Sequence, residues 1–364
     1  MPKVSLVMPS LNVAPYIRAC MDSVISQTLK DIEILCVDAG STDGTLEILR
    51  EYEKRDPRVR VLLSDKKSYG YQMNLGLDAA TGDYFGIVET DDYVAPEMFR
   101  ELYAVAEALR LDIVKGDYAF FIGDGAERRF KPFHIAKNPA RYLRVLRPTR
   151  DLDAFRDILH TWAGLYRTGF LKENGIRHNE TPGASFQDNG FWFQTYALAR
   201  RLLYVPKVYY YLRRDNAGSS TFSRSKVYCE CVEFDFIRDW LRRYPNLEPR
   251  LAPIVAYRRS GNYYATLERI ADEDKHAFLK RFQADFQKIE ADGELDPALF
   301  SPREWRNLRS IMDEPESYFR LEREGELEEK ALNRLQGGLW CVRDHGLAYT
   351  LRYMLSKRGE SNGL

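Results

Sequence analysis

The first 115 residues alternate short apolar runs with amphipathic segments, and this alternation constrains the fold more than any other feature of the sequence. The apolar runs lie at residues 4–8, 32–37, 59–63 and 84–88. The segments between them place apolar residues at helical spacing, as in Ile17, Met21 and Val24. Strands that alternate with helices form βαβ units whose strands pair in parallel. The sequence therefore predicts an α/β domain built on a mostly parallel sheet.

The pattern changes further along the chain, which predicts a second region. Aromatic segments bounded by Gly and Pro continue to residue 222, whereas residues 223–364 are helical and heavily charged. We therefore place a domain boundary near residue 222. A basic and aromatic segment at residues 339–358 has the composition of a helix that lies in a membrane interface. Packing against its own domain or against a second copy of the chain explains the same segment.

Charge and cysteine content exclude several classes of protein. The chain has 54 Lys and Arg and 54 Asp and Glu, so it lacks the basic excess of a dedicated nucleic-acid binder. Its five cysteines are odd in number and scattered, which favours reduced thiols over a disulfide framework or a zinc site. No run approaches the ~18 apolar residues of a membrane-spanning helix. We expect a cytoplasmic protein, with attachment to the inner face of the membrane as a further possibility.

An acidic turn, Glu89-Thr90-Asp91-Asp92, follows the fourth apolar run. Three carboxylates in four residues repel one another, so an ordered turn needs a cation or hydrogen-bond donors. Ligands of open parallel sheets bind at the carboxyl ends of the strands, and Asp38 ends the second apolar run in the same way. Oxygen ligands suit Mg²⁺ or Mn²⁺. A solvated loop that favours the next helix dipole is the alternative interpretation.

Four segments carry a resemblance to a known family: Val4–Asn12, Val37–Gly44, Asn74–Leu77 and Val88–Val94. In order and spacing they resemble the successive blocks of the inverting family 2 glycosyltransferases of the GT-A fold, over roughly residues 3 to 222. The resemblance implies a catalytic domain at residues 1–222 and a helical region at 223–364 that contacts the acceptor, a membrane surface or another subunit. It also implies a nucleotide-sugar donor, with UDP as the expected carrier, and a growing bacterial surface glycan as the acceptor.

The resemblance further implies a set of site residues. It assigns the donor to Pro9, Asn12, Asp38, Lys66, Asn74, Glu89, Thr90, Asp91, Arg213, Arg214 and Ser219, with Pro9 and Asp38 at the nucleobase. Asp91 and Asp92 would hold the metal ion, Mn²⁺ or Mg²⁺, beside the diphosphate. Three departures from the family pattern concern the donor: Ala39 stands where a second Asp is common, Glu89 takes the first position of the DxD-type site, and Met73 stands where an Arg is common. We expect Lys66 or Lys67 to supply the missing positive charge.

Inverting transfer needs a carboxylate that accepts the proton of the acceptor hydroxyl group. Asp188 lies among aromatic residues, but from spacing alone a helix cap is the stronger interpretation. The resemblance reverses that order, because Gln187-Asp188 matches the family's Glu-Asp pair at the start of a helix. It implies that Asp188 is the base. We name Trp162, Gln187 and Trp192 as acceptor contacts, although core packing explains either tryptophan equally simply.

Two other functions are compatible with a nucleotide-binding sheet. A nucleotidyltransferase would need a glycine-rich, basic phosphate loop near residue 10, and Pro9-Ser10-Leu11-Asn12 is not such a loop. A non-catalytic scaffold of the same fold would be expected to have lost its acidic clusters, which this sequence retains. The glycosyltransferase is therefore the function that the sequence favours.

Overall fold

The structure is a computed structural model that describes residues 1–323 except for residues 124, 217 and 219–222. Ser219 and the basic segment at residues 339–358 therefore lie outside the described residues. The chain divides into two compact units, of which the first is Met1–Ala271 and the second begins at Asp272. This division lies further along the chain than the boundary that the sequence suggests at residue 222.

The strands of the first unit form one mixed sheet. They are β1 (Val4–Ser10), β2 (Ile32–Asp38), β3 (Val59–Leu63), β4 (Tyr84–Ile87), β5 (Tyr93–Val94), β6 (Ile113–Ile122), β7 (Arg129–Phe133), β8 (Gly164–Arg167) and β9 (Leu202–Arg213). Their order across the sheet is β3-β2-β1-β4-β8-β6-β9-β5, and β7 pairs with the end of β6. The pairs among β1, β2, β3 and β4 are parallel, as the alternation in the sequence predicts.

The helices of the first unit connect these strands and cover the sheet. They are α1 (Ala14–Ile25), α2 (Thr45–Arg55), α3 (Tyr69–Ala79), α4 (Met98–Ala108), α5 (Thr168–Glu173), α6 (Asp188–Leu198), α7 (Cys229–Leu241) and α8 (Glu248–Arg269). Every residue of β1 is buried, which is typical of a parallel strand covered on both faces. Helix α3 approaches β1 closely at Gly76, where a Cβ atom would lie 2.4 Å from Cγ1 of Val7.

Residues 117 to 222, where the periodicity of the sequence is irregular, complete the sheet. Strand β8 runs antiparallel to both β4 and β6, whereas β9 runs parallel to β6. Strand β5 pairs antiparallel with the end of β9, so the turn between β4 and β5 lies beside that end. The acidic turn predicted from the sequence is this turn.

Helices α7 and α8 belong to the first unit because they contact it through polar and ring interactions. Glu233 on α7 accepts a hydrogen bond from the backbone N–H of Gly190 on α6 at 2.8 Å. The guanidinium group of Arg156 lies 4.6 Å from the ring centre of Tyr257 on α8. These contacts explain why the first unit extends beyond residue 222.

The second unit contains α9 (Asp272–Ala291) and α10 (Pro302–Asp313). Phe278, Phe282 and Phe286 are buried on α9, and Gln283 donates a hydrogen bond to the carbonyl oxygen of Met312 at 3.0 Å. Across both units, none of the helices that the structure describes combines the length and apolarity that crossing a membrane requires.

Candidate active site

A cavity of about 320 Å³ opens where β1 and β9 end and where the acidic turn leaves β4. Its wall includes the predicted site residues Pro9, Glu89, Thr90, Asp91, Asp92, Trp162, Gln187, Asp188, Arg213 and Arg214. Helix α3 contributes Tyr69 and Gln72, and α6 contributes its first residue. The carboxyl ends of parallel strands meet at one edge of a sheet, and this edge is where open α/β sheets bind ligands.

The two adjacent aspartates of the acidic turn have different surroundings. Asp92 is buried, and its carboxylate accepts hydrogen bonds from the Tyr210 hydroxyl at 2.8 Å and from the Arg213 backbone N–H at 2.7 Å. Burial, together with the neighbouring charge of Asp91, raises the pKa of Asp92 well above its usual value. The carboxylate of Asp91 is half-buried and accepts one hydrogen bond, from Asn216 at 2.7 Å. Asp91 is therefore the aspartate of the pair that can contact a ligand in the cavity.

Glu89 and Thr90 fix the start of the same turn. The Tyr69 hydroxyl donates a hydrogen bond to the Glu89 carboxylate at 2.7 Å, and the Thr90 hydroxyl donates to the carbonyl oxygen of Pro9 at 2.8 Å. Burial raises the pKa of Glu89 to about 8, and the carboxylates of Asp91 and Asp188 act in the same direction. The turn is thus attached to both α3 and β1.

Asp188 is the first residue of α6 and lines the cavity. Burial raises the pKa of its carboxyl group, and the backbone N–H groups of Asp188 and Asn189 oppose that rise. The positive charge of Lys115 opposes it as well. A carboxylate at a helix N-terminus is favoured by the helix dipole, so a helix position and a proton-accepting role are compatible.

Lys115 on β6 is a residue that the sequence analysis missed. It is fully buried, donates a hydrogen bond to the carbonyl oxygen of His160, and lies 5.8 Å from the ring centre of Tyr196. Burial lowers its pKa to about 7, against the opposing influence of the Asp188 and Asp157 carboxylates. A single lysine inside a strongly apolar strand is the one sequence signal that could have drawn attention to it.

The two arginines at the end of β9 differ in the same way as the two aspartates. Arg213 is buried, its Nη1 lies 3.1 Å from a carboxylate oxygen of Asp215, and its guanidinium group lies over the rings of Tyr16 and Phe121. Arg214 is half-buried, and its guanidinium group lies 4.7 Å from the ring centre of Phe120. Both line the cavity, so positive charge faces the acidic turn across it.

The structure shows what holds Asp38, which the family resemblance assigns to the nucleobase. Its buried carboxylate accepts hydrogen bonds from the backbone N–H groups of Gly40 and Ser41 and from the hydroxyl groups of Ser10 and Ser41. The carboxylate therefore fixes the loop after β2. Asn12 belongs to the same arrangement, because its side-chain oxygen accepts a hydrogen bond from the N–H of Thr42 at 2.9 Å.

Two further residues assigned to the donor lie away from the cavity wall. Lys66 is exposed, 3.5 Å from the carboxylate of Glu180 and over the ring of Tyr71, whereas the adjacent Lys67 lines the cavity. Asn74 is buried on α3, where its amide group donates to the carbonyl oxygen of His178 and accepts from its N–H. Asn74 thus joins α3 to the segment after α5.

The three residues named as acceptor contacts occupy different positions. Trp162 lines the cavity and stacks on Tyr210 with ring centres 4.2 Å apart. Gln187 lines it as well, but its amide group is engaged by the carbonyl oxygens of Thr181 and Gly183 and by the N–H of Ser185. Trp192 is buried on α6, outside the cavity wall, so it belongs to the core.

The carboxylates of the acidic turn can bind a metal ion only together with ligands from outside the protein. Within the described part of the chain, no group of three or more His, Cys, Asp or Glu side chains is arranged to hold a metal ion. Both oxygens of Asp92 accept hydrogen bonds from β9, which leaves Asp91 as the available carboxylate. Mg²⁺ and similar ions often bind through one or two carboxylates, with phosphate oxygens and water as the other ligands. The turn fits such a site and does not fit an all-protein metal cage.

Comparisons with known proteins show what this chain is similar to. Residues 5–172 match the family model described as glycosyl transferase family 2. The uncharacterized glycosyltransferase EpsJ of Bacillus subtilis (strain 168) is 34% identical over 223 residues, which is 60% of this chain and 63% of that protein. Glycosyltransferase GlyA of Streptococcus pneumoniae serotype 4 is 29% identical over 220 residues, 58% of this chain and 30% of that protein. The chain thus spans less than two thirds of the length of these relatives.

Among solved structures, this chain is similar to S. aureus TarS 1–349 in complex with UDP-GlcNAc, with a TM-score of 0.63 and 19% sequence identity. The match covers 87% of this chain and 92% of the TarS chain. At this identity the match concerns the fold. It confirms the predicted α/β architecture of the GT-A type, with additional helices in the C-terminal part of the chain.

Proposed function

Because residues 5–172 match the glycosyl transferase family 2 model, we propose that this chain transfers one sugar from a nucleotide-sugar donor to a hydroxyl group of a growing bacterial glycan. UDP is the carrier that we propose, because the structure of the same fold from S. aureus holds UDP-GlcNAc. The acceptor that we propose is a lipopolysaccharide, capsule or exopolysaccharide chain. The bacterial relatives named as glycosyltransferases support sugar transfer as the reaction.

The observation that carries the proposal is the composition of the cavity. One wall holds the half-buried Asp91, another holds Asp188 at the start of α6, and the end of β9 adds Arg213 and Arg214. A nucleoside diphosphate needs cationic groups or a cation beside its phosphates, and an acceptor hydroxyl needs a base. The cavity provides residue types for both requirements.

The proposed reaction inverts the configuration of the transferred sugar. The acceptor oxygen attacks the anomeric carbon from the face opposite the diphosphate, and its proton passes to the Asp188 carboxylate. The bond between the anomeric carbon and the phosphate oxygen breaks, and the nucleoside diphosphate leaves with that electron pair. The raised pKa of Asp188 makes its carboxylate a stronger base than an exposed aspartate.

We propose that Asp91 holds Mn²⁺ or Mg²⁺ together with phosphate oxygens of the donor. The ion would neutralise part of the negative charge that develops on the departing diphosphate. Arg214 would act on the same charge from the other side of the cavity, since its guanidinium group lies at the cavity wall. The buried Asp92 and Arg213 would keep the acidic turn in place beside the end of β9.

The test is release of nucleoside diphosphate by the purified protein from a panel of UDP-, GDP- and dTDP-sugars, with Mn²⁺ and with EDTA. We expect turnover of at least one donor, and its loss in EDTA. The Asp188→Asn variant should bind the donor with unchanged affinity and transfer sugar about 10²–10⁴-fold more slowly, as expected on removal of a general base. Unimpaired transfer by that variant contradicts the assignment of Asp188. Absence of donor binding and turnover across the panel would instead indicate a non-catalytic scaffold.

A further inference from the structure

The hairpin formed by β6 and β7 continues one wall of the cavity outward. Strand β9 lies beside β6, with Leu212 opposite Phe120 and Tyr210 opposite Tyr118, and Leu212 lines the cavity. On its other side, β6 pairs antiparallel with β7, so that Phe120 is opposite Lys131 and Ile122 is opposite Arg129. Residues directly opposite each other in a sheet face the same side. The side of the hairpin that carries Lys131 is therefore continuous with the cavity wall.

Aromatic rings connect this side of the hairpin to the cavity. Phe120 and Phe133 are both half-buried, with ring centres 4.3 Å apart. Phe133 stacks on Tyr118 at 5.4 Å, and Tyr118 contacts Trp162 of the cavity wall at 5.2 Å. Partly exposed aromatic faces are surfaces on which sugar rings stack through their C–H groups. The path from the cavity along the hairpin is therefore lined with rings.

A cationic side chain lies beside each of the rings of Phe120 and Phe133. The Arg214 guanidinium group lies over Phe120 at 4.7 Å, and the Lys131 ammonium group lies 5.4 Å from the ring centre of Phe133. Lys131 and Arg129 are exposed, and neither forms an ion pair with any residue that the structure describes. The surrounding segment, residues 128–150, contains eight Lys and Arg and no Asp or Glu, in a chain whose formal net charge is zero.

The carboxylates nearest to this surface in the described structure do not neutralise it. Asp117 is buried and accepts hydrogen bonds from the N–H of Ile135 and the hydroxyl of Tyr142, and it also contacts His134. Asp215 contacts the guanidinium group of Arg213 and the N–H of Gly123. Asp215 is exposed, as is Glu127 at the end of the hairpin. The surface therefore keeps an excess of positive charge beside the cavity.

We propose that this surface, the hairpin ledge (Phe120, Arg129, Lys131 and Phe133), binds an anionic stretch of the acceptor glycan. This inference rests on the proposed function and names the chemical class of its acceptor. Sugar rings would stack on Phe120 and Phe133, while carboxylate or phosphate groups of the glycan pair with Arg129 and Lys131. A glycan is favoured over a membrane as the occupant because the ledge runs into the cavity, where an acceptor hydroxyl must reach Asp188 and a bilayer cannot follow.

The first experiment measures binding without turnover. Fluorescence anisotropy would compare three labelled probes: a hyaluronan tetrasaccharide, which carries carboxylates, a glycerol phosphate oligomer, which carries phosphates, and chitotetraose, which is neutral. We expect at least one anionic probe to bind more tightly than the neutral one, and its affinity to fall as salt is raised. In Arg129→Gln/Lys131→Gln, the dissociation constant for that probe should rise about 3- to 20-fold, as expected for the loss of two exposed charges.

The matched control is Lys54→Gln/Arg200→Gln, which removes one exposed lysine and one exposed arginine at positions away from the ledge. The control should bind the anionic probe like the unmodified protein. Equal binding of neutral and anionic probes, or equal affinities of the two double variants, overturns the inference. So does binding of phosphatidylglycerol vesicles through Arg129 and Lys131 without binding of either anionic oligosaccharide, because the surface would then be a membrane contact.

A second measurement separates this inference from the proposed function. Donor hydrolysis without acceptor should proceed at the same rate in both double variants and in the unmodified protein, since neither pair contacts the acidic turn. If the unmodified protein turns over no donor, the proposed function fails whatever the ledge binds. If donor turnover is normal and the ledge variants leave the affinity for anionic probes unchanged, only the inference about the acceptor fails.

Discussion

The hydroxyl group of Tyr210 donates a hydrogen bond to the buried carboxylate of Asp92 at 2.8 Å and accepts one from the backbone N–H of Glu89 at 2.9 Å. One side chain of β9 thus holds both ends of the acidic turn. The turn owes its shape to this contact and to the hydrogen bond between Asp92 and the Arg213 backbone. Adjacent aspartates in one motif therefore separate into a residue that holds the turn and a residue, Asp91, that is available to a ligand.

Substitution of the two aspartates should produce different defects. We expect Asp91→Asn to fold with an unchanged melting temperature and to lose about 10- to 1000-fold of metal-dependent donor turnover, because charge stabilisation of the leaving group is removed. Asp92→Asn should lower the free energy of unfolding by about 1–3 kcal/mol, because a buried acceptor of two hydrogen bonds becomes an amide. Thermal unfolding and nucleoside diphosphate release, measured on both variants, test this difference.

A matched control for this prediction is Tyr210→Phe, which removes the hydroxyl group and keeps the ring that stacks on Trp162. Its free energy of unfolding should fall as in Asp92→Asn. Its donor turnover should not show the loss expected for Asp91→Asn. If Asp91→Asn were the less stable of the two aspartate variants, the assignment of separate roles would be wrong.

Asp38 provides a second prediction, because its carboxylate accepts four hydrogen bonds within the protein. Asp38→Ala leaves two backbone N–H groups and two hydroxyl groups without their acceptor, so we expect a loss of about 2–4 kcal/mol in the free energy of unfolding. The ratio of affinities for UDP and GDP should stay unchanged. Chemical denaturation and calorimetric titration measure the two quantities. A stable variant with altered nucleotide preference would instead support the base contact that the sequence suggests.

These two cases show what the sequence could predict. The alternation of strands and helices locates the sheet edge and therefore the acidic turn, because the direction of parallel strands follows from the order of the elements. The sequence does not reveal where a carboxylate points. Asn74 and Asp92 form hydrogen bonds with segments far away in the chain, as in the contact of Asn74 with His178, and Asp38 does so with Ser10. Such partners depend on the tertiary fold.

The irregular region from 117 to 222 illustrates the same limit. Its strands pair with mixed direction, and β6 shifts register between Gly116 and Tyr118, so no single period marks them in the sequence. Lys115 is buried by that arrangement. The assignment of Asp188 comes from the family resemblance. Glu230 and Glu233 on α7, whose carboxyl groups interact with that of Asp188, belong to a helix whose sequence pattern is that of an ordinary charged helix.

Glu233 on α7 predicts a dependence of stability on pH. Burial raises its pKa to about 8, against the hydrogen bonds from Asn179 and Gly190, while the Asp188 carboxylate also raises it. The folded protein therefore keeps a proton that the unfolded chain loses near its ordinary pKa of 4.5, and the free energy of unfolding falls as pH rises from about 4.5 to about 8. Glu233→Gln removes this group, so the variant should be more stable than the unmodified protein at pH 9 by about 1–3 kcal/mol.

Urea unfolding at pH 5, 7 and 9 measures this effect. At pH 5 the two proteins should differ little, since Glu233 is protonated and the glutamine oxygen can accept from the Gly190 N–H while its NH₂ group donates to the Asn179 oxygen once that amide rotates. The control is Glu47→Gln on the exposed side of α2, which retains Glu233 and should follow the unmodified protein at all three pH values. Glu233→Gln could instead change the free energy of unfolding by the same amount at all three pH values. That result would rule out titration of Glu233 as the cause of the change.

Lys115 gives the last prediction, on the pH dependence of the proposed reaction. Its ammonium group is buried beside His160 and Tyr196, and the charges that act on it are the carboxylates of Asp188 and Asp157. In its charged form Lys115 lowers the pKa of Asp188, which burial otherwise raises. Removal of that charge should raise the pKa of Asp188, so the rising limb of kcat against pH should move to higher pH by about 0.5–1 unit.

The variant Lys115→Met tests this prediction, because methionine fills the buried space without charge. Its melting temperature should change little, since removing a buried ammonium group offsets the lost hydrogen bond to His160. Donor affinity should be unchanged, because Lys115 does not line the cavity. The measurement is kcat for sugar transfer between pH 5 and 9, with Lys54→Met as a control that removes an exposed lysine. A pH profile that coincides with that of the unmodified protein would show that Lys115 does not act on the base, whatever its effect on the rate.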